Sequence, residues 1–169
     1  MRSPAERRLA YQVELARGRR LAAGIRLDET WSERLRARWP SRLRCEMSCG
    51  PGWSDLIEAV NELIDQEAVE VFRFDQIKEK FAGLRMYWHG EDPSGLIDQT
   101  IDAAEEISQS LCETCGSVHG KVWNRHGYVY TACDEHARPG SSIARIKTER
   151  IRTPVGRIRA TKIEDGEDS

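Results

Sequence analysis

Cys112-Glu113-Thr114-Cys115-Gly116 is followed, seventeen residues later, by Cys133-Asp134-Glu135-His136. Each stretch places two soft metal ligands at x-x spacing, the arrangement by which two short knuckles hold one tetrahedral Zn²⁺. The glycine after Cys115 allows the backbone to turn tightly beneath the metal. Because protein side chains fill all four coordination positions, none remains for an activated water. The sequence therefore predicts a structural zinc site formed by Cys112, Cys115, Cys133 and His136.

Two other histidines lie between the knuckles and compete for the fourth ligand position. His126 precedes Gly127 in a predicted hairpin turn, where a solvated histidine is usual, and His119 lies four residues past Cys115. His136 completes the second knuckle and is the predicted ligand. A disulfide framework is disfavoured, because five cysteines are an odd number and the N-terminus does not resemble a secretion signal.

The charge of the chain is distributed unevenly. The net charge is −2 over 169 residues, but residues 1–44 carry +7, residues 45–136 carry −12 and residues 137–169 carry +3. An acidic middle segment repels nucleic acid and basic flanks attract it, so any nucleic-acid binding would depend on the flanks. No apolar run approaches the ~20 residues that a membrane-spanning helix needs, and we expect a soluble, cytoplasmic protein with no membrane partner.

Hydrophobic periodicity predicts an α+β fold, with helices packed on a small antiparallel sheet and a C-terminal zinc ribbon between basic flanking segments. The stretches VEVFRF and LRMYW, within residues 69–88, are β-branched and aromatic and predict two antiparallel strands. Four helices are predicted: residues 5–23, a helix capped by Asp28 or Thr30 that ends near Arg38, residues 54–66 capped by Ser54, and a helix from Asp92 to about Leu111.

Two details of these helices bear on the surface of the protein. In the first helix Leu9, Val13 and Leu21 form a sparse apolar stripe, which is typical of a solvated helix docked by a narrow face or of a basic arm for an acidic partner. In the fourth helix the acidic side chains are predicted to face outward: Asp98, Asp102, Glu105 and Glu106.

Changes in composition divide the chain into four parts. These are a basic helical segment over residues 1–44, an α+β core over 45–111, a zinc ribbon over 112–136, and a tail over 137–169 that is first basic and then acidic. In the ribbon the predicted strands are Val122-Trp123 and Tyr128-Val129-Tyr130. Residues 143–162 alternate isoleucine with arginine or lysine, which is typical of an exposed basic hairpin or of a disordered arm that orders on a partner. The final EDGEDS is predicted to have no fixed structure.

Three segments occur in a recognisable order. Cys49-Gly50-Pro51-Gly52-Trp53 precedes Gln76-Ile77-Lys78-Glu79-Lys80-Phe81-Ala82-Gly83-Leu84-Arg85-Met86-Tyr87, and the two knuckles follow. Together they resemble a family of small, largely uncharacterised zinc-ribbon proteins of phage, prophage and bacterial genomes. The resemblance covers residues 49–136, about half of the chain, and Ala82 stands where the family pattern has a second glycine. It implies zinc binding and a phage or bacterial origin, without a mechanism.

The sequence offers little support for an enzyme. A zinc deaminase needs a His-x-Glu ahead of Pro-Cys-x-x-Cys, a combination that the sequence lacks. A zinc-stabilised His-Asn nuclease would need histidines beyond His119 and His126, which flank Asn124, to bind a second metal. Cys45 and Cys49 are reactive thiols or, more commonly, small buried hydrophobic residues.

Basic side chains outside the ribbon are candidate anion or nucleic-acid contacts. Lys78, Lys80 and Arg85 lie on the outward faces of two strands or form one basic patch for a phosphate or carboxylate. Six residues of the tail are further candidates for phosphate contacts: Arg145, Lys147, Arg150, Arg152, Arg157 and Arg159.

Two functions follow from these patterns. The preferred one is a non-enzymatic, zinc-binding accessory protein, phage- or prophage-related, that binds and modulates a protein partner, such as an inhibitor or regulator of a host system. The alternative is a nucleic-acid-binding module that uses the basic arms. The preference depends on the acidity of residues 45–136, which contain the family pattern.

Overall fold

The computed structural model describes residues 2–153 and 156–166, except for the side chains of residues 152–158. Within these residues four α-helices and two sheets form an α+β fold, which confirms the predicted fold class. The helices are α1 (Pro4–Ala22), α2 (Trp31–Arg38), α3 (Ser54–Gln66) and α4 (Leu96–Ser108). The strands are β1 (Met47–Ser48), β2 (Phe72–Lys80), β3 (Gly83–Gly90), β4 (Lys121–Arg125), β5 (Tyr128–Ala132), β6 (Ser142–Thr153) and β7 (Gly156–Asp165). None of the helices in this described part combines the length and apolar character that crossing a bilayer requires.

The three longer helices share one hydrophobic core with the first sheet. The predicted apolar face of α3 is buried throughout: Leu56, Ile57, Val60, Leu63 and Ile64. Helix α1 adds Leu9 and Val13 to the same core, so this helix is packed on residues 45–111. The prediction that Leu21 belongs to this stripe is wrong, because Leu21 is 62% exposed. The neighbouring Arg20 is buried instead and forms a two-pronged ion pair with Asp55 of α3.

The ends of two helices differ from their predictions. Ser54 is the first residue of α3 and not its cap, because a short 3-10 turn over Pro51–Trp53 runs directly into the helix. Helix α4 begins at Leu96 with Gly95 in the N-cap position, and the Asp92 carboxylate accepts hydrogen bonds from the backbone N–H groups of Ile97 and Asp98. The helix ends at Ser108, before Leu111.

The first sheet has the strand order β1-β2-β3, with β1 parallel to β2 and β3 antiparallel to β2. Phe81 and Ala82 connect β2 to β3 with φ values of 51° and 59°. Two consecutive residues with positive φ are typical of a tight hairpin turn that favours glycine. Ala82 accepts this geometry with support from Glu79, whose carboxylate accepts a hydrogen bond from the Ala82 N–H at 2.7 Å.

The second sheet has the order β5-β4-β6-β7 and continues the ribbon into the tail. Strands β4 and β5 form the predicted ribbon hairpin, and β6 pairs with β4 at Trp123 and Asn124. Residues 143–153 and 156–162 pair as the two strands of a hairpin, as in the first of the two interpretations of this segment, although the hairpin is not fully exposed because Arg150 and Arg159 contact α4. The prediction of no fixed structure is wrong for Glu164 and Asp165, because they pair with β6 at the end of β7. Residues 167–169 lie outside the described part.

Candidate metal centre

The four predicted metal ligands lie together. The ligand atoms of Cys112, Cys115, Cys133 and His136 are all within 4.8 Å of one another. The Sγ atoms of Cys115 and Cys133 are 3.8 Å apart, and Nδ1 of His136 lies 3.7 Å from Cys112 Sγ and 3.2 Å from Cys133 Sγ. A tetrahedral zinc site with its usual bond lengths has S–S edges of about 3.8 Å and S–N edges of about 3.6 Å. These side chains therefore fit one tetrahedral metal ion.

The other two histidines of the ribbon have different positions. His126 and Gly127 form the β4–β5 turn, both with positive φ, and the Asn124 side chain accepts a hydrogen bond from the Gly127 N–H at 2.9 Å. Within the described residues the metal-type cluster includes His136 and neither His119 nor His126. Asn124 thus stabilises a turn, and this contact explains its position without a role in nuclease chemistry.

Backbone hydrogen bonds shape the two knuckles. In the first, the Gly116 N–H donates to the Cys112 carbonyl at 2.8 Å, and the Cys112 N–H donates to the Ser117 carbonyl at 2.8 Å. In the second, the His136 N–H donates to the Cys133 carbonyl at 3.0 Å. Gly116 has φ +72°, so the glycine after the first knuckle provides the left-handed backbone that the turn requires. The knuckles are consequently defined by local backbone geometry.

The glycine turn before α3 packs directly against the first knuckle. The Gly52 N–H donates to the Glu113 carbonyl at 2.7 Å, and the Gly50 N–H donates to the Glu113 carboxylate at 2.8 Å. A Cβ at Gly52 would overlap the Cys112 carbonyl oxygen and lie 2.6 Å from the Gly116 nitrogen. The Trp53 indole N–H donates to the Leu111 carbonyl at 2.9 Å. The sequence patterns did not predict this contact, although two glycines beside a proline and a tryptophan indicate close backbone approach.

The thiols of the site differ in acidity. Burial opposes ionisation of Cys112, but hydrogen bonds from the backbone N–H groups of Cys115, Cys133 and Thr114 lower its pKa to about 7. Burial, together with the nearby Cys112, raises the pKa of Cys115 to about 11. One thiolate is therefore favoured near neutral pH and disfavours a second beside it. A bound cation reverses that repulsion, because thiolates ligate it as anions.

Cys45 and Cys49 have the surroundings of inert thiols. Burial raises the pKa of both, and for Cys49 the nearby carboxylates of Glu113 and Glu79 raise it further. A thiol with a raised pKa stays protonated at neutral pH and is a poor nucleophile. This environment favours the interpretation of both cysteines as small buried hydrophobic residues.

The prediction that Glu105 of α4 faces outward is wrong, because this residue is 1% exposed. The β6–β7 hairpin covers this face of the helix and brings Arg150 and Arg159 to it, while Arg85 reaches it from β3. We call Glu105 and these three arginines the charge cluster. Arg85 is 3% exposed and is thus not a surface residue of the kind that the sequence indicated.

The basic residues of the tail differ in their surroundings: some pair with carboxylates and Arg145 faces solvent. Arg150 donates to Glu106 at 2.9 Å and lies 3.4 Å from Glu105, while Arg159 lies 3.2 Å from Glu105, so both compensate carboxylates of α4. Lys147 pairs with Glu164 at 2.8 Å. Arg145 is exposed, and the side chains of Arg152 and Arg157 lie outside the described ones.

Comparisons with protein-family models, with curated proteins and with solved structures find no match for this chain. The resemblance of residues 49–136 to a family of phage and bacterial zinc-ribbon proteins therefore stays a prediction. The geometry of its own residues defines the site: a Cys3His cluster able to hold a metal ion.

Proposed function

We propose that the protein binds one structural Zn²⁺ and acts as a non-enzymatic accessory protein that binds and modulates a protein partner. The observation that carries the proposal is the closed set of four ligand atoms within 4.8 Å of one another. Three thiols and an imidazole form one of the ligand sets of structural zinc sites, and their softness favours zinc over hard cations such as Mg²⁺ and Ca²⁺. Four protein ligands leave no coordination position for a reacting water.

The surroundings of the site support a bracing role. The first knuckle contacts the glycine turn through Gly52 and helix α1 through Arg17, which donates to the Gly116 carbonyl at 2.8 Å. On the other side of the ribbon, Thr131 donates to the Ala82 carbonyl at 2.7 Å and so joins β5 to the β2–β3 turn. A metal held at the knuckles therefore fixes the ribbon to three parts of the core.

The proposed protein partner and the phage or prophage origin rest on the sequence pattern, the charge and the surface of α1. The family resemblance and the charge of −12 over residues 45–136 support an acidic accessory protein. Tyr11 and Leu15, one helical turn apart on α1, are 67% and 40% exposed. These two side chains offer a small apolar contact for the proposed protein partner.

Metal content tests the first half of the proposal. We expect the purified full chain to contain one zinc per molecule, and Co²⁺ exchanged into it to give the visible absorption of tetrahedral thiolate coordination. Cys112→Ser should lose the metal, whereas the matched ribbon variant His126→Ala should retain it. Metal-free protein from zinc-replete cells, or equal metal loss in both variants, would overturn the zinc assignment.

Recovery of the partner tests the second half. The full chain is used to capture binding partners from source cells, with and without nuclease treatment. A protein that stays bound after nuclease treatment and at moderate salt supports the proposal. Binding that disappears with nuclease and weakens ~10³-fold between low and moderate salt would replace it with the nucleic-acid alternative.

A further inference from the structure

A small polar cavity lies between the β2–β3 hairpin and β7, away from the metal ligands. Its volume is about 220 Å³. It is lined by Lys80, Phe81, Arg85, Tyr87, Arg159 and Thr161. Three of these side chains are cationic and two carry hydroxyl groups, so the lining consists largely of hydrogen-bond donors.

Strand register explains why these side chains converge. Lys78 lies opposite Arg85 and Lys80 lies opposite Gly83, so the two lysines and Arg85 share one face of the β2–β3 hairpin. Arg159 and Thr161, two residues apart, share one face of β7. The lack of a side chain at Gly83 leaves room for the Arg85 guanidinium, since a Cβ at this position would lie 3.3 Å from Arg85 Nη1. The three strands thus direct their basic side chains to one place.

The charge cluster behind the cavity pairs the guanidinium groups with carboxylates of α4. Glu105 contacts Arg85 through Nη1 and Arg159 through Nε, and Asp102 lies 3.7 Å from Arg159 Nη2. Burial lowers the pKa of Arg85, which Glu105 opposes and the neighbouring Arg159 and Arg150 reinforce. Each guanidinium has five N–H donors, more than its ion pairs with Glu105 and Asp102 use. The six residues that line the cavity include three cations and no carboxylate, so the side of the cluster that faces the cavity is basic.

We propose that this cavity is an oxyanion site that binds the phosphate group of a small ligand through Lys80, Arg85, Arg159 and Thr161. Arginine forks and lysine ammonium groups are the usual partners of phosphate oxygens. The volume is below the roughly 300–1,000 Å³ of pockets that enclose a whole drug-sized ligand, so it suits an end group. Phe81 and Tyr87, which are 42% and 37% exposed, line the same cavity and are placed to contact the remainder of the ligand.

Thermal unfolding of the full chain in inorganic phosphate, against chloride at equal ionic strength, tests the site. We expect a saturable rise in Tm of about 3–6 °C at ten times the Kd. Lys80→Gln should weaken phosphate binding about tenfold, because it removes one charge-assisted hydrogen bond. Lys162→Gln is the matched control, since Lys162 follows Thr161 on β7 but has an exposed side chain paired with Glu164. It should bind phosphate as the native chain does.

Three outcomes would overturn the proposal: no rise in Tm beyond that in chloride, phosphate binding by Lys80→Gln equal to that of the native chain, or equal weakening in both variants. Phosphoserine and a nucleoside monophosphate distinguish the source of the phosphate. Equal affinity for inorganic phosphate and both compounds supports a site for the free ion. Tighter binding of either compound supports a phosphate ester whose remaining part contacts Phe81 or Tyr87.

Discussion

The zinc ribbon and the charge cluster are both polar sites that join distant parts of the chain, but they are encoded differently. The ribbon places its ligands in two knuckles of four residues each, with a glycine where the backbone turns. The charge cluster brings Arg85, Glu105, Arg150 and Arg159 together from four elements with no repeated spacing. A site made of local pairs can be recognised in a sequence, whereas one made by tertiary packing emerges only with the fold.

Metal removal should produce the largest effect and separate the two regions. Apparent zinc affinities of about 10–16 kcal/mol in small zinc sites indicate that β4 and β5 lose their protection without the metal. The core around α3 has a buried apolar face and should persist. Hydrogen exchange before and after a strong chelator measures this, with metal loss verified separately. Unchanged protection in β4 and β5 of the metal-free protein would show that the ribbon folds without zinc.

Glu105→Gln should break the charge cluster and leave the metal site intact. Loss of one partner of a buried ion pair costs about 3–5 kcal/mol, and here Arg85 is left buried without the carboxylate that pairs with it. The measurement is the urea midpoint of the zinc-bound protein at an unchanged m value. Glu106→Gln is the control, since Glu106 is 43% exposed in its side chain and should change stability by about 1 kcal/mol or less. Equal costs for both variants would show that Glu105 has no special role in holding the hairpin.

The same contrast explains which parts of the protein could be predicted from the sequence. Helix α3 and the ribbon strands were predicted because their apolar periodicity and turn residues are local signals. The burial of Glu105 was missed, since the sequence groups it with the acidic side chains of α4 and its cover comes from β3 and from the later β6–β7 hairpin. Glu164 and Asp165 were assigned to a tail without structure for a similar reason, because pairing with β6 overrides their low strand propensity.

Gly52→Ala should weaken the ribbon from outside its ligand set. The added Cβ would overlap the Cys112 carbonyl oxygen, and we expect a loss of about 2–3 kcal/mol in stability together with weaker zinc binding. Gly18→Ala is the matched control, because a Cβ there meets no atom within 4 Å and alanine favours α1 by roughly 0.5–1 kcal/mol. Urea unfolding and competition with a zinc chelator measure the two effects. Native zinc affinity in Gly52→Ala would mean that the glycine turn does not support the knuckle.

Thr131→Val should produce the smallest effect and test how the ribbon is coupled to the core. The Thr131 hydroxyl donates to the Ala82 carbonyl at 2.7 Å, and its loss leaves a buried acceptor unsatisfied at a cost of about 1–2 kcal/mol. Thr148→Val is the same substitution at a buried hydroxyl without a hydrogen-bond partner, so it should cost little or stabilise the protein.

Measuring Thr131→Val and Glu105→Gln in both the zinc-bound and the metal-free protein tests which contacts depend on the metal. If the ribbon is unfolded in the metal-free protein, the hydrogen bond to Ala82 is already broken there, and Thr131→Val should have no further effect on the stability of the core. Glu105→Gln should retain most of its cost in the metal-free protein, because the charge cluster joins α4 to β3 and the β6–β7 hairpin without a ribbon ligand. If Thr131→Val destabilised the metal-free protein as much as the zinc-bound protein, β5 would belong to the metal-independent core. The metal would then stabilise only the two knuckles.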